Sequence, residues 1–181
     1  MREITDITTF TTQQPTVLTI GTFDGVHLGH QKIIERVVTT ARQEGLLATI
    51  FTFFPHPRMV VQHDKSLKLI HTLEEKKQLL QQLGVDLLVV QPFNEAFAQL
   101  TAEEFVNTIL VQHLNVKKVI IGYDHRFGRN RTANINDMRL FGEKYGFAVE
   151  EISVQEVDEV SVSSTKIREA LNKGDVTTAE H

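Results

Sequence analysis

The chain has 181 residues, 41% hydrophobic and 23% charged, a formal net charge of −4 at pH 7 and no cysteine. These proportions suit a soluble globular chain long enough for one sizeable core, expected as a single domain over residues 1–181. The mild negative charge offers no general basic field for nucleic acid or an anionic membrane, and the lack of cysteine excludes disulfides, thiolate catalysis and cysteine-bound zinc.

The first ten residues are polar and threonine-rich, with neither the basic nor the apolar region of a secretory signal. No apolar run approaches membrane length, so a cytoplasmic protein without membrane contact is expected. Residues 16 to 22 read as a buried strand. They lead into Gly21-Thr22-Phe23-Asp24-Gly25-Val26-His27-Leu28-Gly29-His30, and a helix follows with Ile33, Ile34, Val37, Val38 and Ala41 on one stripe, ending at Gly45. A strand-to-helix turn of this kind presents unsatisfied amides and the positive end of the helix dipole, which together hold an anion. His27 and His30, three residues apart, share one side of the helix start, and Gly29 leaves room at the backbone. The pattern is neither a P-loop nor the dinucleotide fingerprint, and the His-Glu-x-x-His of zinc proteases is missing. In isolation a His-x-x-His pair is more often two solvated side chains, but the strand-loop-helix context reverses that preference.

The second expected strand, Leu46 to Phe54, ends in Phe54-Pro55-His56-Pro57-Arg58, where two prolines predict an extended loop displaying His56 and Arg58. Residues 60 to 70 lack a regular pattern and read as a mobile loop. Thr72 with Glu75 and Thr101 with Glu104 match capping boxes. The first opens a helix with Leu79, Leu80 and Leu83 inward, and the second opens one with Phe105, Val106, Ile109 and Leu110 inward. Between them lie a strand, Val85 to Gln91, and a turn carrying Phe93 and Phe97. The fourth strand, Val116 to Ile121, runs into the glycine-flanked loop Gly122-Tyr123-Asp124-His125-Arg126-Phe127-Gly128. A helix over 135–145 and a fifth strand, 147–154, precede Ser163-Ser164-Thr165-Lys166-Ile167-Arg168, in which three hydroxyls cap a short helix with basic residues in its first turn.

Alternating strands and helices with right-handed crossovers make an α/β fold with a parallel sheet. The carboxyl ends of its strands share an edge, so these loops can converge on one crevice.

His-x-Gly-His at the start of the first helix resembles the signature of the nucleotidyltransferase superfamily, which implies a Rossmann-like fold of that type. The same decad, with Phe53-Phe54-Pro55-His56-Pro57-Arg58, Pro92-Phe93, Phe97, Gly122 to Gly128 and Ser163 to Arg168, follows the order and near-spacing of the adenylyltransferase module of bacterial bifunctional FAD synthetases. The resemblance covers nearly the whole chain. It implies transfer of AMP from ATP to FMN with magnesium, giving FAD and pyrophosphate, with no covalent nucleophile from the protein. His27, His30 and Arg168 are then the expected catalytic residues. Gly21, Thr22, Phe23, Asp24, Gly29, Gly122, Asp124, Ser164 and Thr165 are expected at ATP, and Phe54, His56, Pro57, Arg58, Phe97 and Phe127 at the flavin. No residue is singled out as a metal ligand. The riboflavin kinase domain of that family has no counterpart here, so kinase activity is expected to be absent and FMN to come from a separate kinase domain or protein. His125 stands where many relatives have an apolar or aromatic residue. The competing readings are a nucleotidyltransferase for another phosphorylated acceptor and a flavin- or nucleotide-binding sensor without turnover.

Overall fold

A computed structural model describes residues 1–153, 156 and 162–180. Six parallel strands form one sheet: β1 (Arg2–Ile4), β2 (Thr16–Ile20), β3 (Leu47–Phe54), β4 (Leu87–Pro92), β5 (Val116–Gly122) and β6 (Ala148–Ile152), in the order β1-β4-β3-β2-β5-β6. The Rossmann-like arrangement is therefore as expected. β1 is an addition, a three-residue edge strand paired with β4. Of the strand expected over 147–154, Ala148 to Ile152 pairs with β5, and Val154 lies outside the described residues.

β2 lies between β3 and β5, with Leu18 opposite Thr49 on one side and Val119 on the other. From β2 the chain first builds outward through β3 and later returns to add β5. That reversal makes the carboxyl end of β2 the topological switch point, where a crevice opens in sheets of this type.

Both faces of the central strands β2, β3 and β4 are covered, which is why those strands are mostly apolar and buried, while the edge strands β1 and β6 carry exposed charged residues. On one face Val17, Ile50, Leu88 and Ile120 lie under α1 (Leu28–Glu44) and α3 (Leu73–Gln82). Their immediate neighbours Leu18, Phe51, Val89 and Val119 point the other way. There they meet α5 (Ala102–Glu104), its π-helical continuation Phe105–His113, and α6 (Ile135–Tyr145). The period of two along each strand thus distributes side chains between two cores.

Caps fix the helix entries as the sequence indicates. Thr72 Oγ1 accepts from the Glu75 amide at 3.2 Å, while Glu75 Oε2 accepts from the Thr72 amide at 2.8 Å. Thr101 and Glu104 repeat the arrangement at α5. Two local expectations need correction. Pro57 does not sit in an extended loop; it opens the short helix α2 (Pro57–Val61), since a proline at the first helical position loses only an amide that would have had no partner. The turn carrying Phe97 likewise contains a single-turn helix, α4 (Glu95–Ala98), capped by Asn94. Beyond β6, α7 (Ser164–Asn172) begins at the expected hydroxyl cap, and a last short helix, α8 (Val176–Glu180), follows.

Candidate active site

The turn after β2 is built around Asp24, whose side chain is 2% exposed. The backbone that buries it is strained: Phe23 and Val26 have φ values of 47° and 40°, and Gly25 lies between them at 91°. A β-branched residue such as Val26 rarely adopts this region, and such geometry persists only where the surroundings hold it. Here they do. Oδ1 of Asp24 accepts from the Ile70 amide at 3.0 Å, and Oδ2 pairs with the Arg168 guanidinium. Ser164 Oγ donates to the Asp24 main-chain carbonyl at 2.7 Å. Arg168 Nε also donates to the Lys68 carbonyl at 3.0 Å. The segment read as a mobile loop therefore closes over the turn through residues 68 and 70.

Beneath the turn, the Thr22 carbonyl accepts from Lys76 Nζ at 2.7 Å and from Thr52 Oγ1 at 3.1 Å. Lys76 is only 7% exposed. Sequence reading did not single it out, because Glu74-Glu75-Lys76-Lys77 resembles a charged helix surface. A signal was present all the same: Lys76 precedes Leu79, Leu80 and Leu83 at helical spacing, on the stripe that faces the sheet.

His27 is the N-cap of α1, its Nδ1 accepting from the His30 amide at 3.4 Å. The two rings stack with centroids 3.6 Å apart, and Phe23 meets the His30 ring edge-on at 5.2 Å. Burial pushes the His30 imidazole down to about 3, with the charges of His27 and Lys76 acting in the same direction. Burial lowers His27 too, against the pull of Asp24. Both rings are therefore neutral near pH 7. They are hydrogen-bonding groups of fixed position rather than formal charges, and Nδ1 of His30 is buried with no partner among the described residues.

His56 caps α2, accepting from the Arg58 amide at 3.2 Å. Burial lowers it to about 4; Asp24 opposes this, while Arg168, Lys76 and Arg58 reinforce it. Asp24, Arg168 and Lys76, the charges of the cluster around the turn, are thus among those that act on His56. Arg58 is itself paired with Asp64 at 2.9 Å.

The aromatic residues divide. Phe54 is 45% exposed at the end of β3. Phe97 packs against Phe53, Phe93 and Phe105, and Phe127 is buried against Phe105 and Phe141. His125 lies nearly parallel to the Phe127 ring, its centroid 6.1 Å away, and burial lowers it to about 4. In the same loop, Asp124 is exposed and its Oδ1 lies near Gly122, 3.3 Å from where a Cβ on that glycine would fall. Thr165 is exposed at the start of α7, and Gly29 is buried in the first turn of α1.

The structure thus joins the His-x-Gly-His turn to the Ser-Ser-Thr helix start at the carboxyl end of a parallel sheet. A sequence profile of the family described as FAD synthetase matches residues 9–166. The chain belongs to the FAD synthetase family.

Three relatives named bifunctional riboflavin kinase/FMN adenylyltransferase show its range. The Bacillus subtilis protein is 38% identical over 91% of this chain and 52% of its own length. That of Buchnera aphidicola subsp. Schizaphis graminum is 37% identical over 85% and 50%, and that of Escherichia coli K12 35% over 93% and 54%. The chain therefore spans about half the length of these FAD synthetase relatives. Among solved structures, a Streptococcus pneumoniae protein described as a macrolide-efflux protein superposes with a TM-score of 0.85 at 28% identity, over 98% of this chain and 58% of that one. In this family member no helix among the described residues is long and apolar enough to cross a membrane. Pantoate-β-alanine ligase from Francisella tularensis shares the fold, with a TM-score of 0.54 at 15% identity over 94% of this chain and 76% of its own.

Proposed function

We propose that the chain transfers AMP from ATP to FMN, forming FAD and releasing pyrophosphate. The observation that carries this reading is the contact of Ser164 and Arg168 with Asp24, which brings the helix starts of α1 and α7 together. Two helix starts facing one crevice suit a polyphosphate better than a single charged group. The family relationship supports FMN as the acceptor.

In this reaction an oxygen of the FMN phosphate attacks the α-phosphorus of ATP in line, and the bond to the bridging oxygen of pyrophosphate breaks. The protein's task is to align two anions and to stabilise charge on the transferring and leaving groups. His27 and His30 would donate N–H groups to the phosphates, together with the first amides of α1. Ser164 and Thr165 would close on the polyphosphate from α7. Arg168 uses donors on Asp24 and Lys68, and its guanidinium carries further N–H groups for the phosphates. Gly21, Gly29 and Gly122 would let the nucleotide approach the backbone, with Phe23 beneath the His30 ring and Asp124 at the nucleoside side.

For the flavin, Phe54 offers an exposed ring, and Phe97 and Phe127 support that wall from the core. His56, Pro57 and Arg58 would flank the phosphate tail.

Among the described residues no group of three or more His, Asp or Glu side chains is placed to hold a metal. Both Asp24 carboxylate oxygens are already engaged. Magnesium would therefore enter with ATP, held chiefly by phosphate oxygens and water, and would supply charge neutralisation. A riboflavin kinase domain or protein would provide the FMN.

The test is incubation of the purified chain with ATP, magnesium and FMN, with FAD and pyrophosphate measured by chromatography. FAD formation is the expected result. Turnover only with other phosphorylated acceptors, or FMN binding without product, would overturn it.

A further inference from the structure

Lys76 belongs to none of the turns and helix starts that mark the site, yet its ammonium lies under the turn after β2. Its neighbour Lys77, half-buried, has carboxylate partners of its own in Glu3 and Glu74. Taking an ammonium out of water is costly unless hydrogen bonds and opposite charge compensate for it. Burial does lower the affinity of Lys76 for its proton, and the charge of Asp24 works against that loss.

Asp24, however, is shared. Its carboxylate already pairs with Arg168, so two cations rely on one anion. The next cation, Arg58, has its own partner in Asp64. His27, His30 and His56 are neutral at physiological pH. Among the described groups that act on this cluster, the crevice floor therefore holds one positive charge more than it has carboxylates. A fixed excess charge in a poorly hydrated place is an anion site waiting for its ligand.

We infer that Lys76 is a positioning residue for polyphosphate, fixing the turn through the Thr22 carbonyl and supplying the crevice with its uncompensated positive charge. For the identity of the substrate this rests on the adenylyl-transfer reading. The charge balance itself requires only that the ligand be an anion, for which pyrophosphate is the probe used below.

The discriminating pair of variants is Lys76→Gln and Lys76→Met, with inorganic pyrophosphate as the probe in calorimetric titrations. Gln keeps an N–H donor for the Thr22 carbonyl and removes the charge; Met removes both. Lys76→Gln should melt close to the parent, while its pyrophosphate affinity falls by on the order of tenfold to a hundredfold and depends less steeply on salt. A folded Gln variant that binds pyrophosphate within about twofold of the parent, with unchanged salt dependence, would overturn the inference and leave Lys76 as a structural donor. If neither variant folds, the Lys76 ammonium resonance of the unaltered protein decides: it should shift on adding pyrophosphate, and an unmoved signal would overturn the proposal. Should the unaltered chain make no FAD but bind pyrophosphate in a Lys76-dependent way, the charge assignment stands and the choice of reaction falls.

Discussion

Ser164 Oγ lies 2.7 Å from the main-chain carbonyl of Asp24, a residue 140 positions earlier, and donates a hydrogen bond to it. One turn further along α7, Arg168 reaches the carboxylate of the same aspartate. α7 is thereby anchored to the turn before α1 at both backbone and side chain. Neither contact would arise if the two motifs lay on separate parts of the molecule.

The aspartate should matter more than the arginine to stability. Asp24→Ala leaves Lys76 and Arg168 without a shared anion and should cost ~3–5 kcal/mol in urea unfolding. Arg168→Met leaves Asp24 the Ile70 amide and the charge of Lys76, and should cost about half as much. Equal losses would show that Lys76 does not share the aspartate.

His27→Ala and His30→Ala should each slow FAD formation by about a hundredfold, as removal of a donor from a transition-state site does. The accompanying loss of stability should be about 1 kcal/mol: His27 gives up one cap bond, and among the described residues His30 Nδ1 makes no bond that the fold would forfeit. Steady-state kinetics alongside thermal melts separate the two effects.

Acid should weaken the fold through histidines that are buried neutral. Burial holds His30 near 3, and His56 and His125 near 4, below the ordinary imidazole value of 6.5. The unfolded chain therefore binds more protons between these values and about pH 6.5, so stability is full above that pH and falls as pH drops toward 4. Each such histidine contributes up to about 1.4 kcal/mol per pH unit in its window. His125→Phe should flatten the acid limb of unfolding, followed by circular dichroism, since Nε2 of His125 has no partner to lose.

Two glycines separate a structural from a functional demand. At Gly128, with φ of 75°, a Cβ would come within 2.9 Å of the Ala102 main chain, which cannot step aside; Gly128→Ala should cost about 3 kcal/mol. At Gly25 the clash is with Cδ1 of Ile70, a flexible tip, at 2.9 Å. Gly25→Ala should therefore cost less stability but displace the residue whose amide holds Asp24, so activity should fall further than the melting temperature suggests.

Strands β2 to β5 were readable because their apolar runs end at glycine or proline, β6 because Gly146 punctuates the chain before it, and α1, α3 and α6 because their apolar stripes stop at glycine. β1 was not, since Arg2-Glu3-Ile4 is too short to show a period and takes its conformation from the β4 edge. α2 was misjudged because Pro57 stops a helix in its interior yet starts one at its first position. Within the site, the histidines and the Ser-Ser-Thr cap announce themselves as local patterns. Ile70 and Lys68 contribute through main-chain atoms, which any side chain could accompany, so no sequence pattern could reveal them.

The layered interior and the rim proposed to face the nucleotide draw on largely different residues. Val17 and Ile120 pack against Val37 and Ala41 of α1, and Ile50 and Leu88 meet the turn after β2 only through the apolar side chains of Phe23 and Val26, whereas Asp24 and Arg168 hold one another at the edge. Phe97 and Phe127 are exceptions, packed into the interior from α4 and from the loop after β5, the segments proposed to face the acceptor. Evolutionary drift in which phosphorylated partner is accepted is thus cheapest in the exposed stretch around Phe54 and most constrained at those two rings, where a change of ligand would also disturb folding.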